Sequence, residues 1–573
     1  MVEVHINDRL VEVEESATIL DAAVAAGVKI PTLCHIKGLF PSGACRICVV
    51  EVEGRPGLVA SCSTPVADGM KVFTRTPKVL NARRTIIELL LASHPFECLT
   101  CNRNMHCELQ NLAAEYDIED LPFRGKSKHH YSDFSSPSIT RNPDKCILCG
   151  RCVRVCEEIQ DVSAIDFTRR GFDTMVLPPF DWDLSETDCV NCGQCIIACP
   201  TGALHEKSAV EEVVETLLEG KKYLVAQAAP AIRVSLGEFY GLAPGENVTG
   251  RIAAALRRIG FNQVFDTDFT ADLTIMEEGT ELVERLESGN NLPMFTSCCP
   301  AWIKFAEHNF PDMLDNISSC RSPQAMMGSL IKSYLAEKEG LSPEEIYVVS
   351  VMPCTAKKFE ATRSELTTDG VADVDAVLTT REFARLIDQF GIDFDSLSEE
   401  AFDSVLGTTS GSGDIFAASG GVMESALRSA YKLITGDDLK EIEFTQVRGF
   451  QGLKEAEVPI DGKQVRVAVV NTLGQTRKLI ERIRSGEVSY HFVEVMACPG
   501  GCVGGGGQMY GIDDERIKQR IASLYTIERK RDIRRSYENP QIQELYKSYL
   551  EKPGSHLAHN LLHTAYTARG ETT

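Results

Sequence analysis

Twenty-one cysteines in a chain of 573 residues, many of them grouped at two-residue gaps, restrict the possible folds more than any other feature of the sequence. Thiols spaced in this way converge on one metal centre and are poorly placed to cross-link distant segments. The odd count argues against a disulfide framework. So does an N-terminus that lacks the basic and apolar regions of an export signal, and a cytoplasmic setting is expected. A net charge of −23 speaks against nucleic acid or an anionic membrane as the main partner. No apolar run is long enough to span a bilayer. The chain is too long for a single core, so three or four domains are expected.

The strongest local pattern is an internal duplication. Residues 144–156 are echoed by 187–199, each with C-x2-C-x2-C-x3-C. Three thiolates of such a motif surround one cubane, and the fourth reaches the other. Cys146, Cys149, Cys152 and Cys199 then hold one [4Fe-4S] cluster, and Cys189, Cys192, Cys195 and Cys156 hold its partner. Gly150 and Gly193 let the backbone pass close to the sulfurs, and Pro200 follows the last ligand, although Glu157 stands at the matching position of the first half. Two zinc sites are the alternative, but structural zinc sites rarely interleave at this period.

Nearer the N-terminus, Cys34, Cys45, Cys48 and Cys62 lie in a β-rich segment, with Gly43 and Ala44 keeping the loop small. Four thiolates in that setting suit a [2Fe-2S] cluster, although the spacing is not the plant-type one and a zinc ribbon is the alternative. His94, Cys98, Cys101 and Cys107 would by themselves fit a zinc site of three thiolates and one imidazole. Lying between two other cluster-binding segments, they read better as ligands of a [4Fe-4S] cluster with one imidazole, whose potential the neutral ligand should raise.

These motifs and the hydrophobic periodicity divide the chain into a small β-rich [2Fe-2S] ferredoxin-like domain (1–78), a small helical domain for the histidine-ligated [4Fe-4S] cluster (79–125), a bacterial-ferredoxin-like domain (126–208) and a large α/β domain (209–573). The class is multidomain α+β and α/β. Val2–Ile6 and Val11–Val13 read as a hairpin, Ala17–Ala26 as a helix, and Lys126–Asp144 as a polar connector. In the last domain the apolar runs Tyr223–Ala228, Ile346–Met352, Val465–Val470 and His491–Met496 alternate with helical stretches. The basic stretch Arg516–Arg535 has a helical pattern and reads as a solvated face.

Five of the six remaining cysteines fall in three short motifs, Thr296–Trp302, Met352–Glu360 and Glu494–Cys502. Thiolates from three separate loops can close a buried [4Fe-4S] site. The motifs resemble the three signatures of [FeFe]-hydrogenases, and the N-terminal segment resembles a domain shared by those enzymes and the large iron–sulfur subunit of NADH dehydrogenases. With the upstream cluster motifs the likeness covers essentially the whole chain. It implies a β-grasp fold for the first domain, a two-lobed catalytic domain at the end, and reversible interconversion of H2 with protons and electrons at an H-cluster, a cubane joined to a two-iron unit that carries CO, cyanide and a dithiolate bridge.

By the same resemblance Cys299, Cys354, Cys498 and Cys502 ligate the cubane, with Cys502 bridging to the diiron unit. Cys298 is implied as proton donor, Lys357 as hydrogen-bond donor to a cyanide, and Met352, Met496, Ser297, Pro353 and Phe416 as lining of the diiron pocket. Glu278, Glu281, Ser318 and Arg285 match a proton relay to the surface, and a helix would put the two glutamates on one face. Cys320 reads as a small core residue. The glycine run 500–507 lacks the Lys-Ser/Thr of a phosphate loop, and its glycines are expected to let backbone approach the metal centre.

The expected partners are H2, protons and an electron carrier, either ferredoxin or a flavin-bearing NAD(P)-linked subunit. Ala301 leans toward the multimeric, NAD(P)-linked group, and the chain has no dinucleotide-binding fingerprint of its own. The rival readings are an NADH-dehydrogenase subunit, a sensory hydrogenase and a non-catalytic cluster carrier of related fold. The first would lack all three C-terminal motifs.

Overall fold

A computed structural model describes residues 1–125, 130–439, 442–450 and 452–570, so the start of the expected connector, residues 126–129, lies outside the described residues. The N-terminal part is a five-stranded mixed sheet in the order Arg9–Val13, Val2–Ile6, Met70–Phe73, Val49–Val52, Leu58–Ala60. Helix Ile19–Ala25 packs across it, started by a Thr18/Asp21 capping box and burying Ile19, Leu20, Ala22 and Ala23. Helices Pro77–Ala92 and Glu108–Glu115 follow. The first is tied to the sheet by buried Arg83, whose guanidinium donates to the Val49 carbonyl at 2.8 Å.

The duplicated motif folds as two pseudo-equivalent halves. Gly150 and Gly193 occupy the left-handed region at φ 72° and 70°, each immediately before a short helix that carries the next cysteine. Strands Ile139–Arg141 and Leu204–Glu206 pair across the base.

The remainder is built on two four-stranded sheets. One is fully parallel, in the order Gln263–Asp266, Tyr223–Ala228, Ile346–Met352, Ala376–Thr379. Every residue of Ile346–Met352 is buried, as expected of a parallel strand covered on both faces. In the other sheet Met294–Phe295, Phe492–Met496 and Lys463–Asn471 run parallel and Leu453–Ile460 closes the edge antiparallel. The three signature motifs leave the carboxyl ends of Met294–Phe295, Ile346–Met352 and Phe492–Met496. Open α/β sheets place their ligand crevice at those ends, so this topology directs the three motifs into the space between the lobes.

The basic stretch near the C-terminus departs from expectation. Its helix spans Asp514–Arg529, stopping short of Arg535, and Arg520 is fully buried. Arg520 donates to Glu238 and to the Val503 carbonyl, both at 2.7 Å, while Arg531 and Arg534 pair with Asp414 and Glu528. Buried carboxylates on this helix and on neighbouring elements draw these cations inward, which charge counting along one helix does not reveal. Among the described residues no helix is long and apolar enough to cross a membrane.

Candidate active site

Between the lobes lies a cavity with about 780 Å³ of atom-free space, lined by Cys298, Cys299, Cys354, Cys498 and Cys502 together with Lys357, Met352, Pro353, Phe416 and Met496. Cys299 caps helix Pro300–Asn309, where Pro at the first position fits the missing N–H of a helix start. Glu494 fixes the third motif by accepting the Gly420 and Met423 amides at 2.6 and 2.7 Å, the start of helix Gly421–Thr435.

Ser297 departs from the expected lining. Its hydroxyl donates to the Cys320 carbonyl at 2.7 Å, and the residue lines a smaller neighbouring cavity. Packing of the strand-to-helix turn rotates that side chain away from the crevice.

Burial, reinforced by the neighbouring Cys299, pushes the Cys354 thiol up to about 12. Burial with Cys354 and Cys299 does the same to Cys498 and Cys502. The three thiols so raised, gathered with Cys299 in an apolar pocket, suit a positively charged iron cluster, which takes all four as thiolates and relieves their repulsion. Lys357 sits among them with its ammonium 2.8 Å from Glu360 and 3.3 Å from the Cys298 carbonyl. Burial opposes its charge, but Glu360 outweighs burial and keeps it protonated. Glu360 has no role in the sequence reading. Its position three residues after Lys357 in the same motif is the signal that could have marked it.

Leading away from Cys298, Glu278 lies on helix Asp268–Ser288, buried, with neither carboxylate oxygen in a full hydrogen bond. Burial, then the charge of Glu281, raises it to about 8, while the Ser297 amide and Ser318 hydroxyl pull weakly the other way. Ser318 donates to Glu281 at 2.7 Å, and Arg285 reaches Glu281 at 2.6 Å. Glu281 and Arg285 line a solvent-open cleft on the far side. The structure thus brings Cys298, Glu278, Ser318, Glu281 and Arg285 into one sequence of polar groups from cavity to solvent.

The other cysteine groups also converge. Cys146, Cys149, Cys152 and Cys199 line one cavity, as the cross-over reading of the duplicated motif requires. Burial followed by the charges of Cys192, Cys189 and Cys156 raises the Cys195 thiol far above its usual range. His94, Cys98, Cys101 and Cys107 share a third cavity, and the buried Nδ1 of His94 has no protein partner, which fits an imidazole aimed at a metal cluster. Cys48 and Cys62 lie with sulfurs 3.4 Å apart, and the Cys34 sulfur accepts the Cys45 amide at 3.5 Å. Cys320, expected in the core, is fully buried, but it lies beside Glu281 and His563.

The ferredoxin-like part abuts the cavity directly. Thr355 donates to the Asn191 carbonyl at 2.7 Å, Gln194 to Gly504 at 3.0 Å and Gln160 to Ala497 at 3.0 Å. Sequence reasoning misses these anchors, because a lone Gln or Thr carries no pattern. On the opposite side Arg103 links the His94 region to the duplicated motif, donating to the Cys199 carbonyl at 2.7 Å and lying 3.5 Å from the Tyr510 ring centre.

Comparison with known proteins agrees with this arrangement. Residues 222–506 match the family described as iron only hydrogenase large subunit, C-terminal domain, and residues 514–569 match the iron hydrogenase small subunit. Upstream, 1–77 match a 2Fe-2S cluster-binding domain, 83–122 the NADH-ubiquinone oxidoreductase-G iron-sulfur binding region, and 145–203 a 4Fe-4S dicluster domain. The small-subunit match is not anticipated by the sequence reading. The chain is 48% identical to the NADP-reducing hydrogenase subunit HndD of Solidesulfovibrio fructosivorans, over 99% of both chains. It is 42% identical to iron hydrogenase 1 of Clostridium pasteurianum, over 96% of this chain and 97% of that one. A solved [FeFe]-hydrogenase structure from Chlamydomonas reinhardtii superposes with a TM-score of 0.58 at 43% identity, covering 64% of this chain and all of that one.

Proposed function

The chain belongs to the iron-only hydrogenase family, and we propose that it is the hydrogen-handling subunit of an assembly whose flavin-bearing partner exchanges electrons with NAD(P). As a family member it is an [FeFe]-hydrogenase, an oxidoreductase acting on H2 and protons, with [2Fe-2S] and [4Fe-4S] domains upstream of the H-cluster domain.

In this reading the 1–78, 79–125, 126–208 and 209–573 segments are the four working units. Cys34, Cys45, Cys48 and Cys62 would hold the [2Fe-2S] cluster, and His94, Cys98, Cys101 and Cys107 the imidazole-bearing cubane. The two crossed cysteine sets would hold the ferredoxin-like pair, and Cys299, Cys354, Cys498 and Cys502 the H-cluster. When bound, the H-cluster supplies the site at which H2 is made or cleaved and two electrons are exchanged. The chain's own residues exclude water, orient that group and move protons. Lys357, kept charged by Glu360, offers a point-charge donor to an anionic ligand, while Met352, Met496 and Phe416 keep the pocket apolar. Cys298 exchanges a proton with Glu278, which passes it by way of Ser318 to Glu281 and the cleft, with Arg285 holding the outer carboxylate in place.

The observation that carries the catalytic reading is the convergence of four ligand-type thiols, Cys298 and Lys357 on one apolar cavity connected to Glu278. Anaerobically matured protein should evolve and consume H2 with a viologen dye. Iron-loaded protein without that activity would overturn the reading. The partner reading rests on 48% identity across the full chain to a subunit of an NADP-reducing enzyme, and a cytoplasmic setting, where NAD(P) is pooled, goes with it. Gly504, Gly506 and Gly507 press on the backbone of Pro499, Cys192 and Cys354, which leaves no room for a phosphate against them. Alone, the chain should give no NADPH-dependent H2 evolution, and a flavin-bearing partner should restore it. Efficient exchange with ferredoxin alone would favour the stand-alone alternative.

A pH dependence follows from Glu278. Held near 8, it is protonated below that pH and ionised above it. H2 oxidation needs it ionised to accept the proton of Cys298, so uptake should rise with pH through about 8. Evolution needs it protonated and should fall over the same range. In Glu278→Gln both limbs should vanish, with turnover down by about 10²-fold or more. An unchanged pH profile in that variant would remove Glu278 from the path.

A further inference from the structure

At the outer end of the polar sequence Glu281 meets two side chains, Cys320 and His563, that the hydrogenase chemistry does not use. Ligand atoms of Glu281, Cys320 and His563 lie within 4.8 Å of one another. Thiol, imidazole and carboxylate at this separation are the donor types that zinc prefers, in number one short of its usual four. The imidazole is also prepared for such a role. Its Nε2 is 3.1 Å from Glu277 Oε2, and Glu277 is held in turn by the Tyr546 hydroxyl at 2.5 Å and the Gly554 amide at 2.8 Å. A carboxylate on one ring nitrogen fixes the tautomer and leaves the other as a lone pair, the usual support behind a metal-ligating histidine. That other nitrogen, Nδ1, faces only the rotatable hydroxyl of Ser319 at 2.8 Å.

The backbone keeps the group together. His563 bridges to Cys320, and flanking bonds run from the Arg321 amide to Leu562 and from the Thr564 amide to Ser319, at 2.7 and 2.8 Å. The histidine comes from the C-terminal segment that matches the small-subunit family, while the thiol and carboxylate come from the large-subunit part. Access exists, because Glu281 and His563 both line the solvent-open cleft, with Cys320 buried behind them.

We propose that Glu281, Cys320 and His563 form an inhibitory site for a zinc-class divalent cation, which closes the proton path at its outer carboxylate. The cation takes one Glu281 oxygen, the His563 Nδ1 and the Cys320 sulfur, with a cleft water as fourth ligand. The Cys320 S–H proton leaves to solvent as the metal–sulfur bond forms, and no electron is exchanged. Glu281 can then no longer trade protons with Ser318 or with water, so turnover stops while the clusters stay intact. The shut-off rests on the reading of Glu281 as the outer proton carrier.

The test uses fully iron-loaded enzyme and zinc chloride, with magnesium chloride as control. X-ray absorption at the zinc edge should report one sulfur and at least one imidazole per bound zinc, and zinc but not magnesium should inhibit H2 evolution. Cys320→Ala should keep its basal turnover, lose the sulfur signal and need on the order of 10–100-fold more zinc for half inhibition. Zinc bound without sulfur in the native enzyme, or equal zinc sensitivity in the variant, overturns the site. Zinc bound through sulfur with turnover unchanged leaves the site standing, and overturns both the shut-off and the placing of Glu281 on the proton path.

Discussion

A Cys298→Ser variant should lose about 10²–10⁴-fold of its turnover in both directions while retaining its full iron content. Cys298 lines the cavity beside the four ligand-type cysteines but is not needed to complete their set. Burial, then the charge of Glu278, pushes its thiol well above the usual range, so it stays protonated at rest and poised to exchange with that carboxylate. A serine hydroxyl occupies nearly the same volume but holds its proton far more tightly than a thiol, and so breaks the exchange without opening a void. Cys299, Cys354, Cys498 and Cys502 are untouched, which is why the metal inventory should survive. Isotope exchange between H2 and D2O, which needs proton transfer but no net electrons, should fall in parallel with dye-linked activity. If the variant kept more than about a tenth of native turnover, proton delivery would have to run through another group.

How far the sequence leads depends on whether a function is carried by spacing or by approach. The crossed ligation of the duplicated motif is legible, since the three-residue gap between Cys152 and Cys156 and between Cys195 and Cys199 directs one thiol out of each loop. The alternation of apolar runs and helices likewise points to parallel sheets, and three motifs at strand ends follow from that topology. The buried Arg520 reads as solvated, because its partner Glu238 lies 282 residues earlier in the chain and no local window contains both. The same holds for His563, which meets Cys320 only through backbone pairing across the whole α/β domain. Cys320 reads as an inert core residue because its burial is visible in its setting, whereas the imidazole and carboxylate beside it are tertiary facts.

The glycine run shows the limit of sequence reading most sharply and yields the second large effect. Its expected role is to bring backbone toward metal, and Gly501 and Gly505 do line the cysteine cavity, but most of its members also bring backbone against backbone. A Cβ on Gly505 would lie 2.1 Å from the Pro353 oxygen, and one on Gly506 would lie 2.2 Å from the Cys192 oxygen and 2.7 Å from Gly193 Cα. Gly193 returns the contact, with Gly506 Cα 3.1 Å from its own hypothetical Cβ, at a φ of +70° that disfavours any side chain. Two glycines, one in the ferredoxin-like loop and one in the catalytic loop, therefore let the segments bearing Cys192 and Cys502 meet backbone to backbone, with the Thr355 side chain filling the remaining space over Gly193. Cys354, next to Thr355, lies close enough that its charge acts on Cys192.

Gly506→Ala should force the loops apart, because neither neighbour is a side chain that can swing away, and overpacking against backbone costs about 1–3 kcal/mol. The Gln194–Gly504 and Thr355–Asn191 hydrogen bonds would loosen with it. Since a misplacement of roughly 1 Å can cost on the order of 10²-fold in rate, dye- and partner-linked turnover should drop by at least about tenfold. The polar sequence from Cys298 to the cleft includes no residue that Gly506 or Gly193 touches, so H2/D2O exchange should persist, with iron content and cluster spectra unchanged. That separates the variant from Cys298→Ser, in which exchange and turnover fall together. Native electron-linked turnover in Gly506→Ala would mean that electrons reach the catalytic domain elsewhere than through the Cys192 loop.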